Sequence, residues 1–236
     1  MQIKQIFILF FIIICNLAYA QKGKAILILK DSTKIVGTGE ISGISNTGAA
    51  IFYNDTLKFK TYKSKEIIGI DILENNYFRR FRYKRTDKYG KKKRFPELLE
   101  VVLIDSLSLY VRIYDPGALS SLSGHSVVTE DTPNITIEDY VDEIEKDVDI
   151  LKFHNTINVY GEINFPRYSY YVGKGNGEAV DHLYTKGLPF AKKFKNSMKS
   201  YFKDCPELIE KVENKDFKSN AIREIIEFYN HNCFQK

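Results

Sequence analysis

The chain has 236 residues, 44% of them hydrophobic and 28% charged, the proportions of a folded soluble protein, which set aside a disordered or fibrous chain. A net charge of +5 is mild, so where the charge sits says more than its total.

Residues 1–20 have the form of a secretory signal. Lys4 charges the start, residues 6–14 are an unbroken apolar run too short to span a membrane, and Ala18-Tyr19-Ala20 fits the small-x-small cleavage pattern. Cleavage is therefore expected between Ala20 and Gln21, leaving a mature chain that is secreted, periplasmic or at the outer envelope, with no transmembrane span of its own. That compartment is oxidising and poor in ATP, which excludes most cytosolic chemistry. Cys15 leaves with the leader. Ile14 stands where a lipidation site would need a small residue.

Residues 21–76 read as a meander of about five short strands. Apolar or alternating runs at 25–29, 33–41, 49–53, 57–62 and 67–73 are separated by turn-rich stretches. Strands this short and evenly spaced predict a small SH3-like barrel, with Gly37 and Gly39 letting one strand bend.

Residues 77–184 form a central antiparallel β region. It opens on a basic segment, 77–95, read as a hairpin turning near Thr86-Asp87-Lys88-Tyr89-Gly90. Residues 98–104 are nearly all apolar, and Asp105-Ser106 offers a tight turn. In the next run Leu107, Leu109, Val111 and Ile113 alternate with Ser108, Tyr110, Arg112 and Tyr114, the clearest period-two pattern in the chain. Residues 118–150 are an excursion, first rich in Ser, Gly and Thr, then acidic with helical spacing from 135. Strands are expected at 157–160 and 168–172, the latter joined through Gly173-Lys174-Gly175-Asn176-Gly177 to a further element ending near Tyr184.

From residue 185 to 236 the period becomes helical. Phe190, Phe194, Ser197, Met198 and Tyr201 make one stripe; Leu208, Ile209 and Val212 a second; Ala221, Ile222, Ile225, Ile226 and Tyr229 a third. Asp204-Cys205-Pro206-Glu207 has the form of a capping box with Pro in the first turn. Cys205 thus opens the second of three short helices and Cys233 closes the third. Two cysteines in an exported chain predict one bridge, and helices folded back on each other would bring those ends together.

Among residues that carry chemistry, the densest cluster is Arg79, Arg80, Arg82, Lys84, Arg85, Lys88, Lys91, Lys92, Lys93 and Arg94, interleaved with Tyr77, Phe78, Phe81, Tyr83, Tyr89 and Phe95. Basic residues among stacking aromatics suit single-stranded nucleic acid, but export removes that partner. An anionic glycan, a lipid headgroup or another envelope protein fits the compartment. The plainer alternative is a hairpin with its basic side chains in solvent, and a third places the acidic 135–150 segment across it. Gly173-x-Gly175-x-Gly177 lacks the dinucleotide spacing and reads as a hairpin turn rather than a phosphate loop. His125, His154, His182 and His231 form no metal-binding pattern. His182 beside Asp181 leaves a hydrolytic site open, without any nucleophile elbow. No cofactor and no metal is implied.

Residues 30–41 followed by Tyr62-Lys63-Ser64-Lys65-Glu66-Ile67-Ile68-Gly69, then Ser108-Leu109-Tyr110, then Tyr201-Phe202-Lys203-Asp204-Cys205-Pro206 and Tyr229-Asn230-His231-Asn232-Cys233 resemble small secreted proteins of Bacteroidota. The resemblance covers most of the mature chain outside the basic segment and the 118–150 excursion, and it implies export and architecture without an activity. The expectation is an α+β protein: a small SH3-like antiparallel barrel or meander, a central antiparallel β region and a three-helix unit. It is expected to serve as a non-catalytic binding or structural module of the cell envelope; the rival is an envelope hydrolase near His182 and Asp181.

Overall fold

The computed structural model describes residues 23–42, 49–54, 60–74, 77–88, 91–92, 96–113, 168–186 and 193–234. The leader with its Ala20–Gln21 site, the 118–150 excursion and the strand expected at 157–160 lie outside the described residues. The acidic 135–150 segment, expected to cross the basic one, lies outside them too.

The protein is α+β. Eleven strands among the described residues make one sheet: β1 (Gly23–Leu29), β2 (Lys34–Ser42), β3 (Ala49–Tyr53), β4 (Lys60–Tyr62), β5 (Ile67–Glu74), β6 (Tyr77–Lys88), β7 (Lys91–Lys92), β8 (Glu97–Leu103), β9 (Leu107–Ile113), β10 (Tyr168–Lys174) and β11 (Ala179–Lys186). Three helices follow, α1 (Phe194–Tyr201), α2 (Pro206–Glu213) and α3 (Ile222–Asn232). The strand order is β11-β10-β9-β8-β6-β5-β1-β2-β3-β4, with β7 paired to the end of β6.

β6 organises the sheet because it is twelve residues long, enough to serve several neighbours in succession. Its first half pairs antiparallel with β5, from Tyr77↔Glu74 to Arg82↔Gly69. Its middle pairs with β8, from Phe81↔Glu100 to Lys84↔Glu97. Its end runs parallel to β11, Arg85↔Ala179 to Asp87↔Asp181. Since β8–β9, β9–β10 and β10–β11 also pair, strands β6, β8, β9, β10 and β11 are hydrogen-bonded in a closed ring. In the front meander β4 pairs with β3, and no β4–β5 pairing occurs among the described residues. Ring closure is found instead among β6, β8, β9, β10 and β11.

Three apolar clusters follow from the side-chain alternation of these strands. The front cluster gathers Ala25 and Leu27, Ala50 and Phe52, Tyr62, Ile67, Ile70 and Ile72, and Phe81 and Tyr83 of β6. Gly37 serves close approach here: a Cβ would lie 2.2 Å from the Tyr53 carbonyl oxygen and 2.6 Å from the Phe52 ring. A second cluster, Leu99, Val101, Tyr110, Tyr171 and Val180, fills the ring. The third lies outside the ring, where Leu107, Leu109, Val111, Tyr170, Val172 and Leu183 meet Met198, Phe202, Leu208, Val212, Ile222, Ile225 and Ile226 of the helical region. β9 is thus covered on both faces. Its Leu107-Leu109-Val111 side faces the helices, while Ser108 and Tyr110 on the other side are also buried.

The bridge Cys205–Cys233 is formed, with the two Cα atoms 5.7 Å apart. It joins the start of α2 to the end of α3 and closes a loop worth roughly 3–4 kcal/mol in the chain-entropy account. The capping box is not. α2 begins at Pro206, so Cys205 is the residue at its cap and makes no side-chain cap bond. Asp204 is one position too early and instead accepts the Tyr229 hydroxyl at 2.6 Å. α3 is also pinned to β9: Asn230 accepts from the Leu107 amide (2.8 Å) and donates to the Leu107 carbonyl (3.0 Å).

Candidate functional site

The basic segment does fold back as a hairpin, β6 pairing antiparallel with β7 from Asp87↔Lys92 to Lys88↔Lys91, but the charges of its first part are not in solvent. Its first part is the shared strand β6, flanked by β5 and β8, so its side chains enter two cores. Phe81 and Tyr83 point to the front cluster. Arg80, Arg82, Lys84 and Thr86 alternate with them onto the ring side. Arg79, Arg80 and Lys84 are only 4%, 5% and 6% exposed.

Burial on this scale requires partners, and several are carboxylates on neighbouring strands. Arg79 donates through Nε and Nη2 to both oxygens of Glu100 on β8, at 2.9 and 2.7 Å, a fork that matches guanidinium to carboxylate. Arg82 grips Asp71 on β5 with Nη1 and Nη2 and also donates to the Phe81 carbonyl at 3.0 Å. Arg112 on β9 donates to Glu97 on β8 at 2.8 Å. These pairs lace β5, β6, β8 and β9 together.

Lys84 differs. Its Nζ donates to the main-chain carbonyls of Asn176 (3.0 Å) and Gly177 (2.8 Å) and sits 4.9 Å from the centroid of the Tyr110 ring. Burial, and secondarily the Arg82 charge, lowers its pKa to about 8, against a weaker upward pull from Glu178. Tyr110, pushed up by burial, donates to the Gly175 carbonyl at 3.3 Å. The glycine-rich turn therefore presents carbonyls to a cation. Its Gly175 and Gly177 amides are already bonded to the Ser106 and Lys174 carbonyls. A phosphate loop has the opposite polarity, with free amides facing an anion. Gly175 takes φ +50°, the left-handed conformation the turn requires. Thr86 is fully buried, and its hydroxyl finds no partner among the described residues.

Of the other predicted surface residues, Arg85 is exposed. Lys91 and Lys92 form β7 in register with Lys88 and Asp87. Lys93 and Arg94 lie outside the described residues.

His182 faces the ring interior. Its Nε2 lies 2.6 Å from Thr185 Oγ1, which lies 2.5 Å from Ser169 Oγ, and its ring meets Tyr171 edge-on. Ser169 and Thr185 are buried. Asp181 is the next residue along an extended strand and so projects to the opposite face, beside Val172 and Asp87 in the ladder. The structure gives His182 hydroxyl neighbours and directs Asp181 away from it. Sequence reasoning missed this relay, the Lys84 clamp and Asn230. A buried polar residue on a strand or helix is an ambiguous signal until its cross-strand neighbours are known.

Among the described residues, no group of three or more His, Cys, Asp or Glu is placed to hold a metal ion, and no helix is long and apolar enough to cross a membrane. No family model matches the chain, and neither a curated protein nor a solved structure matches it.

Proposed function

We propose that the chain is an exported, non-catalytic binding or structural module of the cell envelope. The observation that carries this is the use made of β6: its buried cations act as struts between the front sheet and the ring, through Asp71, Glu100 and the 174–178 turn. The Cys205–Cys233 bridge suits an oxidising compartment, and the resemblance to secreted proteins of Bacteroidota points the same way. Of the basic residues proposed for an anionic ligand, Arg85 is exposed and left available, and the ligand is an anionic glycan or lipid headgroup.

The test is expression of the full chain in a bacterial host, fractionation, and intact-mass measurement. The expected product starts at Gln21, is two hydrogens lighter than its dithiol form, and lies outside the cytoplasm. It should sediment with phosphatidylglycerol vesicles or stay on a sulfated-glycan column, less so as Arg85→Glu. A cytoplasmic product with two free thiols overturns the proposal. The rival, an envelope hydrolase, takes its support from the His182–Thr185 contact. It predicts ester or amide hydrolysis that disappears in His182→Ala.

A further inference from the structure

Lys84 is an ammonium buried in a ring of strands, with no bonded carboxylate among the described residues. From β6 itself it faces Arg82, another cation, whose carboxylate is Asp71. From β8, Glu97 stands opposite it in register but is held by Arg112 of β9. From β9 it meets the Tyr110 ring. On β11 the titratable group turned into the ring is His182, bonded to Thr185. The turn brings Glu178, exposed to solvent, and the two neutral carbonyls that Lys84 bonds. A charge placed this way is opposed by its own desolvation, and neutral acceptors offset that only in part.

The turn over Lys84 is attached lightly. Besides the two Nζ bonds and the ladder position of Lys174 opposite Leu107 of β9, it is fixed by the Gly175 amide to the Ser106 carbonyl, the Arg85 amide to the Glu178 carbonyl, and the Tyr110 hydroxyl to the Gly175 carbonyl. Lys174, Asn176, Gly177 and Glu178 are solvent-exposed, with little apolar contact to hold them.

We propose that the 174–178 turn is a proton-controlled flap on the end of the ring, loosened while Lys84 is charged and seated when Lys84 is neutral. The sign comes from linkage. With the flap seated, Lys84 titrates at about 8. With the flap lifted, Lys84 reaches water and its pKa rises toward the ordinary lysine value of about 10.4, with only the Arg82 charge still opposing it. Between those values the seated form binds fewer protons than the lifted form, so raising the pH favours seating, by up to about tenfold per pH unit. Below about pH 8 both forms are charged, and the flap stays at its loosest. A neutral amine keeps two N–H groups, enough for both carbonyls, so seating does not lose those bonds on deprotonation.

The experiment is water-exchange NMR on the mature, oxidised chain, following the Gly175 and Arg85 amides from pH 7 to pH 10 and correcting for intrinsic exchange. Protection at both is expected to rise with pH, approaching tenfold per unit above pH 8. It should be flat and high in Lys84→Met, and flat and low in Lys84→Arg, which stays charged. The same sample gives the Lys84 side-chain titration directly, so the test survives if a variant does not fold. A Lys84 midpoint near 10.4, protection that is level or falls with pH in the wild type, or an unchanged slope in Lys84→Met overturns the proposal.

Discussion

The Tyr83 hydroxyl on β6 donates to the main-chain carbonyl of Tyr62 on β4, 3.1 Å away. Five strand-to-strand steps separate those strands along the sheet, through β5, β1, β2 and β3. In a flat sheet that path would span roughly 24 Å. The bond therefore marks a sheet rolled until its far edge meets the strand that begins the ring. Both residues belong to the front cluster, so the contact is made in a dry site.

Tyr83→Phe removes the hydroxyl, and with it both the bond to the Tyr62 carbonyl and the one from the Ala50 main chain. The ring still fills the core, and the loss is one hydroxyl, which leaves the Tyr62 carbonyl and the Ala50 amide without it. The expected cost is about 1–2 kcal/mol in urea unfolding at neutral pH, with the slope against urea unchanged. Tyr83→Leu also removes packing and should cost more. Equal stability of Tyr83→Phe and the wild type would mean that the rolled form does not depend on this contact.

Arg79 and Glu100 give a sharper test, because both are buried and bonded in a fork. Removing one partner strands the other charge in the interior, so Arg79→Met alone should cost roughly 3–5 kcal/mol. Replacing both, Arg79→Met with Glu100→Leu, should recover much of that loss, because a buried ion pair contributes little beyond what apolar residues of similar size supply. Chemical denaturation of the two single variants and the double variant closes the cycle. Additive losses would show that the pair is not coupled.

Much of this architecture is legible from local pattern. The apolar run at 49–53 marks β3, the alternation at 107–113 marks β9, and the stripes around Met198, Leu208 and Ile225 mark the three helices, because each signal is complete within its own element. β6 is not legible in that way. A run of arginines and lysines reads as a solvated face until Asp71 and Glu100, 11 and 21 residues from the arginines they bond, are known to lie on the strands that flank it. Asp204 shows the same limit at short range. The capping pattern is present, yet the helix starts one residue later than the pattern needs, and Tyr229 from another helix takes the carboxylate. Asp181 and His182, adjacent in sequence, are parted by the alternation of the strand that carries them.

The disulfide is tested by Cys205→Ser with Cys233→Ser. Cys205 packs in the cluster shared by the helices and the outer face of the ring, so the bridge ties that layer as well as the loop. The double variant should lose roughly 3–4 kcal/mol, lowering the thermal midpoint by roughly 6–15 °C for a chain of this size. Proteolysis should begin in the helical tail, where α2 and α3 then share only side-chain contacts. Wild-type protein under reducing conditions should match the variant.

Alkaline pH acts on the tail through tyrosines. Burial first, and then the bond to Asp204, push the Tyr229 hydroxyl up to about 12. Tyr201 beside it is also raised, by burial and then by the charge of Asp181. An unfolded tyrosine titrates near 10. Above that value the unfolded chain has given up a proton that the folded tail retains, so stability falls as pH rises from about 10 toward the folded value. Below pH 10 the contribution is level. Asp204→Asn keeps an acceptor for the hydroxyl and removes the charge, so Tyr229 should ionise earlier, read as phenolate absorbance. The alkaline decline in stability should then be shallower than in the wild type. Were Asp204→Asn to leave both the phenolate titration and the alkaline decline unchanged, the Tyr229–Asp204 bond would have no part in holding the tail.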